Sequence, residues 1–180
     1  NAGITYVEPL QEISIEHWDE IQAVNLRAPF ILSKALAAKM KEQKRGKIIN
    51  ISSVAGFSTS PCFSAYNSSK WALEAFSECL SYELKLFDID VLLVEPGTYK
   101  TDIFYKNAHY AKEFDNIASP YYPLSQRLKK RVYTYLENCR KNPETVAQCI
   151  EKLIKSKNPA FRNMPDMEGR ALFWIRKFLP

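Results

Sequence analysis

The chain has 180 residues, of which 46% are hydrophobic and 25% are charged, with 5 Gly and 10 Pro. This composition excludes collagen-like, low-complexity and wholly disordered proteins, and the length suits one compact domain or a large piece of one. The net charge of +5 is uneven, because residues 124–180 carry +8 and residues 1–123 carry −3. A basic region of this kind is usually a solvated helical face, and no motif here predicts nucleic-acid binding.

Cysteine usage and hydropathy define the cellular setting that the sequence predicts. The four cysteines lack CxxC spacing and only two histidines accompany them, so we expect neither a metal site nor a disulfide framework. No apolar run approaches the ~20 residues that span a bilayer, and the first residues have no signal-peptide pattern. We therefore expect reduced thiols and a cytoplasmic location.

The first predicted helix begins after Ser14, a good N-cap, and runs to about Gln43, with Gly46 ending it. Its apolar residues recur at helical intervals and define one predicted buried face: Trp18, Ile21, Val24, Leu32, Ala35 and Leu36. Residues 47–51 then form a short run rich in β-branched residues, which predicts a buried strand.

A second long helix and a second strand follow a loop over residues 52–62. The helix has a continuous apolar face formed by Leu73, Phe76, Leu80, Leu84 and Phe87. Residues 91–94 read as the next buried strand, which Pro96-Gly97 stops. Alternating helices and near-continuously apolar strands predict an α/β fold with a parallel sheet.

The remainder of the chain predicts a loop or lid over 99–122, helices over about 124–140 and 144–156, a strand over 160–163 and a last helix from about Glu168. That last helix would place Ala171, Trp174, Ile175 and Phe178 on one basic, aromatic face. Such a face can lie on a membrane surface. We prefer contact with the substrate pocket or with a partner subunit, so membrane association is the less favoured alternative.

Several polar residues converge on one predicted site. Tyr66 and Lys70 are four apart on one helix face, Ser53 directly follows a strand, and Pro96-Gly97 ends the next strand. The carboxyl ends of parallel strands share one edge, where the ligand crevice forms. The spacing of Tyr66 and Lys70 alone carries little weight in a chain with 10 Tyr; the ordered surroundings carry the prediction.

These residue types suit proton transfer. A free tyrosine ionises near pH 10. An ammonium ~4 Å away, at an effective dielectric of ~20, stabilises the phenolate by about 4 kcal/mol, which predicts a Tyr66 pKa lowered by roughly three. Ser53 can hydrogen-bond a reacting oxygen without competing as a base. Pro29 lacks an N–H, so it leaves the Asn25 carbonyl without its helical partner and predicts a bent helix there.

The motifs Asn1-Ala2-Gly3, Asn25-Leu26, residues 49–53, Tyr66-x-x-x-Lys70 and Pro96-Gly97-x-x-x-Thr101 resemble those of the short-chain dehydrogenase/reductase family, in the same order. The resemblance covers about residues 1–102. Farther along, residues 142–147 and 157–162 are similar to the branch that holds retinol and hydroxysteroid dehydrogenase-like members and unassigned bacterial oxidoreductases. The family implies a Rossmann-type doubly wound parallel sheet and interconversion of an alcohol and a carbonyl with NAD or NADP.

The resemblance assigns roles to single residues. Tyr66 would be the general acid/base, Ser53 would hold the reacting oxygen, Lys70 would bind the nicotinamide ribose and Asn25 would support the proton relay. The cofactor would be lined by Asn1, Ala2 and Gly3 on its adenosine side. At its nicotinamide end the contacts would come from Pro96, Gly97, Thr98 and Thr101.

The chain departs from the family at its start, since the Gly-rich turn that cradles the pyrophosphate is absent, with the strands and helices expected before it. We therefore expect residues 1–180 to be the C-terminal two-thirds of one Rossmann-type domain, a fragment that is inactive alone. Residues 1–98 would form the cofactor and catalytic core and residues 99–180 the substrate lid and C-terminal helices.

The expected partners are a small or lipophilic alcohol or ketone and further copies of the chain in a homo-oligomer. Two alternatives remain open: a non-catalytic binding protein of the same fold, or a nucleotide-sugar epimerase or dehydratase.

Overall fold

A computed structural model describes residues 3–105 and 109–178 of the chain. Its strands are β1 (Tyr6–Val7), β2 (Gly46–Ile51), β3 (Ile89–Val94), β4 (His109–Tyr110) and β5 (Arg162–Asn163). Its α-helices are α1 (Ile15–Gln22), α2 (Ala28–Gln43), α3 (Ser64–Lys85), α4 (Tyr122–Asn138), α5 (Glu144–Lys155) and α6 (Met167–Phe178). A π-turn (Ala23–Arg27) joins α1 to α2, and short 3₁₀ turns cover Val54–Gly56 and Asp102–Phe104.

The sheet is parallel, as predicted. β3 lies at the centre between β2 and β5, and its register pairs Ile48 with Val91 and Ile51 with Val94. A separate parallel pair joins β1 to β4. The predicted α/β class with a parallel sheet is therefore confirmed.

Both faces of the sheet carry helices, which explains why the strands are apolar throughout. On one face Ile48 and Val91 pack with residues of α2 and α3, namely Ala37 and Leu84. On the other face Leu92 and Val94 pack with α5: Leu153 is buried there, and Val146, Cys149 and Ile150 add to the cluster. This two-sided packing is the doubly wound arrangement.

The first predicted helix exists but its buried face is partly wrong. Ser14 caps it as expected, since its hydroxyl accepts the His17 N–H at 3.0 Å. Beyond the π-turn, however, Leu32 and Leu36 are 61% and 53% exposed, whereas the next residue along in each case, Ser33 and Ala37, is buried. The π-turn accommodates one residue more than an α-turn, and one residue rotates the following face by about 100°.

Gly46 was predicted to end the first helix, and that prediction is wrong. The helix ends at Gln43, followed by Lys44 in the left-handed conformation with φ 48°. Gly46 instead begins β2. A larger residue at this position would clash, because its Cβ would lie 2.5 Å from the Met40 sulfur.

The segment predicted as a lid packs on its own chain. Ala111 and Phe114 are buried against Val7 and Cys62, and Tyr110 and Leu128 complete this cluster. Its aromatic residues therefore form a small core of their own.

The last helix packs by a face that differs from the predicted one. Phe173 meets Phe57 edge to face at 5.3 Å and Gly169 is buried. Trp174 and Phe178 are 54% and 71% exposed, so they do not cover the pocket of this chain. Within the part of the chain that the structure describes, no helix has both the length and the apolarity to cross a bilayer.

Candidate active site

The carboxyl ends of β2 and β3 are tied together where the site forms. The Ser52 N–H donates to the Val94 carbonyl at 2.8 Å, and the Val54 N–H donates to the Pro96 carbonyl at 3.0 Å. Between these two bonds lies Ser53, whose hydroxyl caps the 3₁₀ turn by accepting the Ala55 N–H at 3.1 Å. Ser53 is thus held at the edge where the sequence predicted the crevice.

Helix α3 brings Tyr66 and Lys70 to this edge. Tyr66 is half-buried, and the Ser53 side chain is near enough to lower its pKa. Lys70 is only 5% exposed, and its ammonium donates to the Ile51 carbonyl at 3.0 Å. The same ammonium lies 5.8 Å from the centre of the Tyr66 ring.

Asn25 reaches the same place from the π-turn. Its side chain pairs with the backbone of Ile4 in both directions, each bond being 3.0 Å long. Its amide also donates to the Ser69 hydroxyl at 3.1 Å, and that hydroxyl donates to the Tyr66 carbonyl at 2.7 Å. Asn25 and Ser69 are 1% and 0% exposed, so they clamp the first turn of α3 to the segment after Gly3. Where a bend was predicted at Pro29, the structure has this π-turn directly before α2.

Of the three residues predicted on the adenosine side, Gly3 borders the site directly. A Cβ at Gly3 would lie 3.6 Å from the Asn25 side-chain oxygen and 3.9 Å from the Lys70 nitrogen. Asn1 and Ala2 lie outside the described residues.

The residues predicted at the nicotinamide end fall into two groups. Pro96 lies at the site through its bond from Val54. Gly97 and Thr98 turn toward the C-terminal third: the Gly97 N–H donates to Asp166 at 3.0 Å, and the Thr98 carbonyl accepts the Tyr135 hydroxyl at 3.4 Å. Thr101 precedes the 3₁₀ turn, where its carbonyl accepts the Phe104 N–H.

The electrostatics differ from the prediction of a lowered Tyr66 pKa. Burial raises the pKa of Tyr66, and the hydrogen bond from Ser53 only partly opposes this rise. Burial also lowers the pKa of Lys70 to about 8, while the nearby Glu74 carboxylate acts in the opposite direction. Desolvation disfavours the charged form of both groups and is the largest cause of each shift. Tyr66 is therefore a neutral phenol at neutral pH.

A family model described as short chain dehydrogenase matches residues 1–111. The chain belongs to the short chain dehydrogenase family. The match covers Asn25, Ser53, Tyr66, Lys70 and Pro96.

One curated relative is the NADPH-dependent 3-dehydrocapnine reductase of Ornithobacterium rhinotracheale, which is 35% identical over 127 residues, or 63% of this chain and 45% of that protein. A short-chain dehydrogenase structure from Streptomyces avermitilis aligns with a TM-score of 0.81 at 28% identity, covering 97% of this chain and 62% of the other. A 4-hydroxyisoleucine dehydrogenase structure with NADH aligns with a TM-score of 0.71 at 29% identity, covering 91% and 63%.

The chain spans less than half the length of the curated relatives that match it most strongly. The comparisons thus identify the family and leave the activity of the whole protein to be argued from the site.

Sequence reasoning missed Ser69, the residue that connects Asn25 to the Tyr66 backbone. A serine three residues after Tyr66 has no distinctive local signal, because hydroxyls commonly bond back to a carbonyl within a helix. It also missed the buried Glu74 and Glu95 and the partly exposed Arg162 that binds both of them.

Proposed function

We propose that the whole protein is an NAD(P)-dependent oxidoreductase that interconverts an alcohol and a carbonyl. The observation that carries this proposal is the joint placement of Ser53, Tyr66 and Lys70 at one sheet edge, where Ser53 acts on the pKa of Tyr66 and Lys70 donates to the Ile51 carbonyl. Asn25 and Ser69 fix the helix turn that presents Tyr66. Family membership agrees with this reading.

The residues of this edge fit the ribose and nicotinamide end of NAD or NADP. A lysine ammonium has three donors, and the Ile51 carbonyl takes one of those on Lys70. The remaining donors suit the vicinal hydroxyls of a ribose. Gly3 lies beside the same nitrogen without a side chain to block it. When bound, the nicotinamide supplies or accepts the hydride.

In the reductive direction the chain's own residues hold and move one proton. The Ser53 hydroxyl donates to the substrate carbonyl oxygen and keeps it near Tyr66. Because the raised pKa keeps Tyr66 protonated at neutral pH, its hydroxyl gives its proton to that oxygen as the alcohol forms. In the oxidative direction the phenolate takes the proton back. Lys70 holds the ribose, and its positive charge favours the phenolate.

The substrate that we propose is a small or lipophilic alcohol or ketone, enclosed by residues 99–180 over a core formed by residues 1–98. The small aromatic core around Phe114 supports a substrate-covering role for that region, because it gives the lid a fixed shape. We also propose that the protein works as a homo-oligomer.

Replacement of Tyr66 tests the function. In the full-length protein Tyr66→Phe removes the proton donor and leaves the ring, so kcat should fall at least ~10²-fold. Nucleotide binding, followed by fluorescence titration, should change little. Tyr82→Phe is the matched control, since Tyr82 lies on the same helix and is 70% exposed. Near-normal turnover in Tyr66→Phe would remove Tyr66 from this role and favour a binding protein of the same fold.

A further inference from the structure

A group of polar and charged side chains, most of them buried, lies next to the candidate site. We name it the acid cluster: Ser52 after β2, Glu74 on α3, Glu95 after β3 and Arg162 on β5. Glu95 is fully buried, while Glu74 and Ser52 are 6% and 4% exposed. One nitrogen of the Arg162 guanidinium bonds to both carboxylates, reaching the Glu95 oxygen at 2.6 Å.

The charges of the acid cluster do not balance if both carboxyls ionise, because two carboxylates would face one guanidinium. Glu74 Oε1, Glu95 Oε2 and Ser52 Oγ also have no hydrogen-bond partner among the described residues. Burial of an ionised carboxylate with an unpartnered oxygen costs free energy. Such burial therefore raises the pKa of the carboxyl and favours its protonated form. One proton held at this pair would remove the excess charge and supply a donor where the carboxyl oxygens have none.

The titration of Glu95 fits this arrangement. Burial and the charge of Glu74 raise the pKa of Glu95 to about 7, although Arg162 opposes them. The charged groups that face Glu95 are Glu74 on α3 and Arg162 on β5. From α6 the backbone of Gly169 approaches, since a Cβ placed there would lie 3.8 Å from the Glu95 carbonyl, and the Phe173 ring lies 5.6 Å from the Arg162 guanidinium.

The acid cluster is connected to the residues of the candidate site. Glu74 follows Lys70 by one helical turn and its charge raises the pKa of that lysine. Ser52 and Glu95 directly precede Ser53 and Pro96 in the chain. Gly56, in the turn capped by Ser53, lies so close that a Cβ would be 2.8 Å from Glu74 Oε1 and 2.8 Å from Ser52 Oγ. The floor of the site is therefore made of the acid cluster.

We propose that the buried Glu95 carboxyl holds one proton beside Glu74 and Arg162, and that the two acidic residues act as positioning residues that set the charge of Lys70. With the proton present, the pair and Arg162 are neutral overall. When pH rises the pair releases this proton to solvent, and the added negative charge holds the proton on Lys70. The two titrations are thus linked, and Lys70 stays cationic to higher pH than its burial alone would allow. The catalytic consequence rests on the proposed function; the linked titration does not.

The test is the titration of Lys70 in the full-length protein, read from the chemical shift of its side chain in lysine-labelled samples and assigned with Lys70→Arg. Glu95→Gln keeps the shape of the side chain and removes the charge. It should lower the Lys70 midpoint by roughly one pH unit, which is the order of the shift that removal of one nearby charge produces at an effective dielectric of about 20. Glu83→Gln, at an exposed position of α3, should leave the midpoint unchanged. An unchanged midpoint in Glu95→Gln would overturn the proposal.

A second measurement needs no variant. Infrared spectra of the parent protein should contain the C=O band of a protonated, buried carboxyl at about pH 6 that disappears by about pH 8. If this band is absent, the proton is absent and the proposal is wrong. If it is present in the parent and lost in Glu95→Gln, the proton resides on the pair.

Activity measurements distinguish a failure of this proposal from a failure of the proposed function. If both hold, Glu95→Gln should move the basic limb of the kcat/KM profile to lower pH, and Glu83→Gln should not. A purely structural role for Glu95 would lower stability without moving that limb. If Tyr66→Phe retains turnover while Glu95→Gln still shifts the Lys70 midpoint, the proposed function fails and the linked titration stands.

Discussion

Burial of Lys70 should make the protein less stable than it would be with an apolar residue at that position. The pKa of Lys70 falls from its ordinary value of 10.5 to about 8. Since one pKa unit corresponds to about 1.4 kcal/mol, the charged lysine costs the folded state about 3 kcal/mol at neutral pH. The hydrogen bond to the Ile51 carbonyl returns about 1 kcal/mol. Lys70→Met should therefore raise the free energy of unfolding by about 2 kcal/mol at pH 7.

The pH dependence gives the sign of the effect. The folded state loses the Lys70 proton near pH 8 and the unfolded state near 10.5. Between these values the unfolded state binds more protons, so stability rises with pH. This rise should disappear in Lys70→Met, and the variant and the parent should converge toward pH 10.5.

Urea unfolding of the full-length protein without added nucleotide, followed by circular dichroism at several pH values, measures both effects. Lys85→Met is the control, because the Lys85 side chain lies on the same helix with 72% exposure and should change stability by less than about 0.5 kcal/mol. A Lys70→Met protein less stable than its parent at pH 7 would refute the reasoning, as would a pH dependence that the two share.

Three further outcomes are expected. Gly56→Ala should cost about 1–3 kcal/mol in urea unfolding, because the new Cβ would lie 2.8 Å from Glu74 atoms; unchanged stability would mean that the turn moves freely. Ser69→Ala should cost about 1–2 kcal/mol by removing the bonds that join Asn25 to α3, and it should accelerate amide exchange in the first turn of that helix. Trp174→Ser combined with Phe178→Ser should weaken self-association in light scattering, whereas loss of binding to anionic vesicles would favour a membrane role for α6 instead.

The elements of this fold were predictable because their local patterns are strong. Residues 91–94 are apolar without interruption, and the strand there is the central one, covered on both faces. Residues 73–84 of α3 keep a regular apolar face, and Leu73 and Leu84 are indeed buried. Such patterns report burial directly, so the type and order of elements follow from them.

The phase of α2 was not predictable in the same way. Pro29 signals a bend, yet nothing in the sequence states that the helix gains a residue at Ala23–Arg27. That one residue transfers burial from Leu32 and Leu36 to Ser33 and Ala37. A helical wheel drawn across a π-turn is therefore out of register on one side of it.

The site itself was only half predictable. Tyr66, Lys70 and Ser53 could be placed together because strand ends share an edge. Arg162 and Glu74, in contrast, lie 88 positions apart, and no local spacing connects them. The Tyr66 pKa was also mispredicted, since the estimate from Lys70 alone omitted the desolvation of both groups.

One contact across the chain bears on how the molecule acquires its structure. The Lys47 ammonium, from β2, donates to the Leu153 carbonyl at 2.8 Å and also to the carbonyls of Ile154 and Ser156, which end α5. Lys47 lies 106 positions before Leu153. A helix of 12 residues is marginal by itself in water. The last turn of α5 is therefore held by a strand that lies far earlier in the chain. Acetylation of this one lysine would fray the helix from that turn.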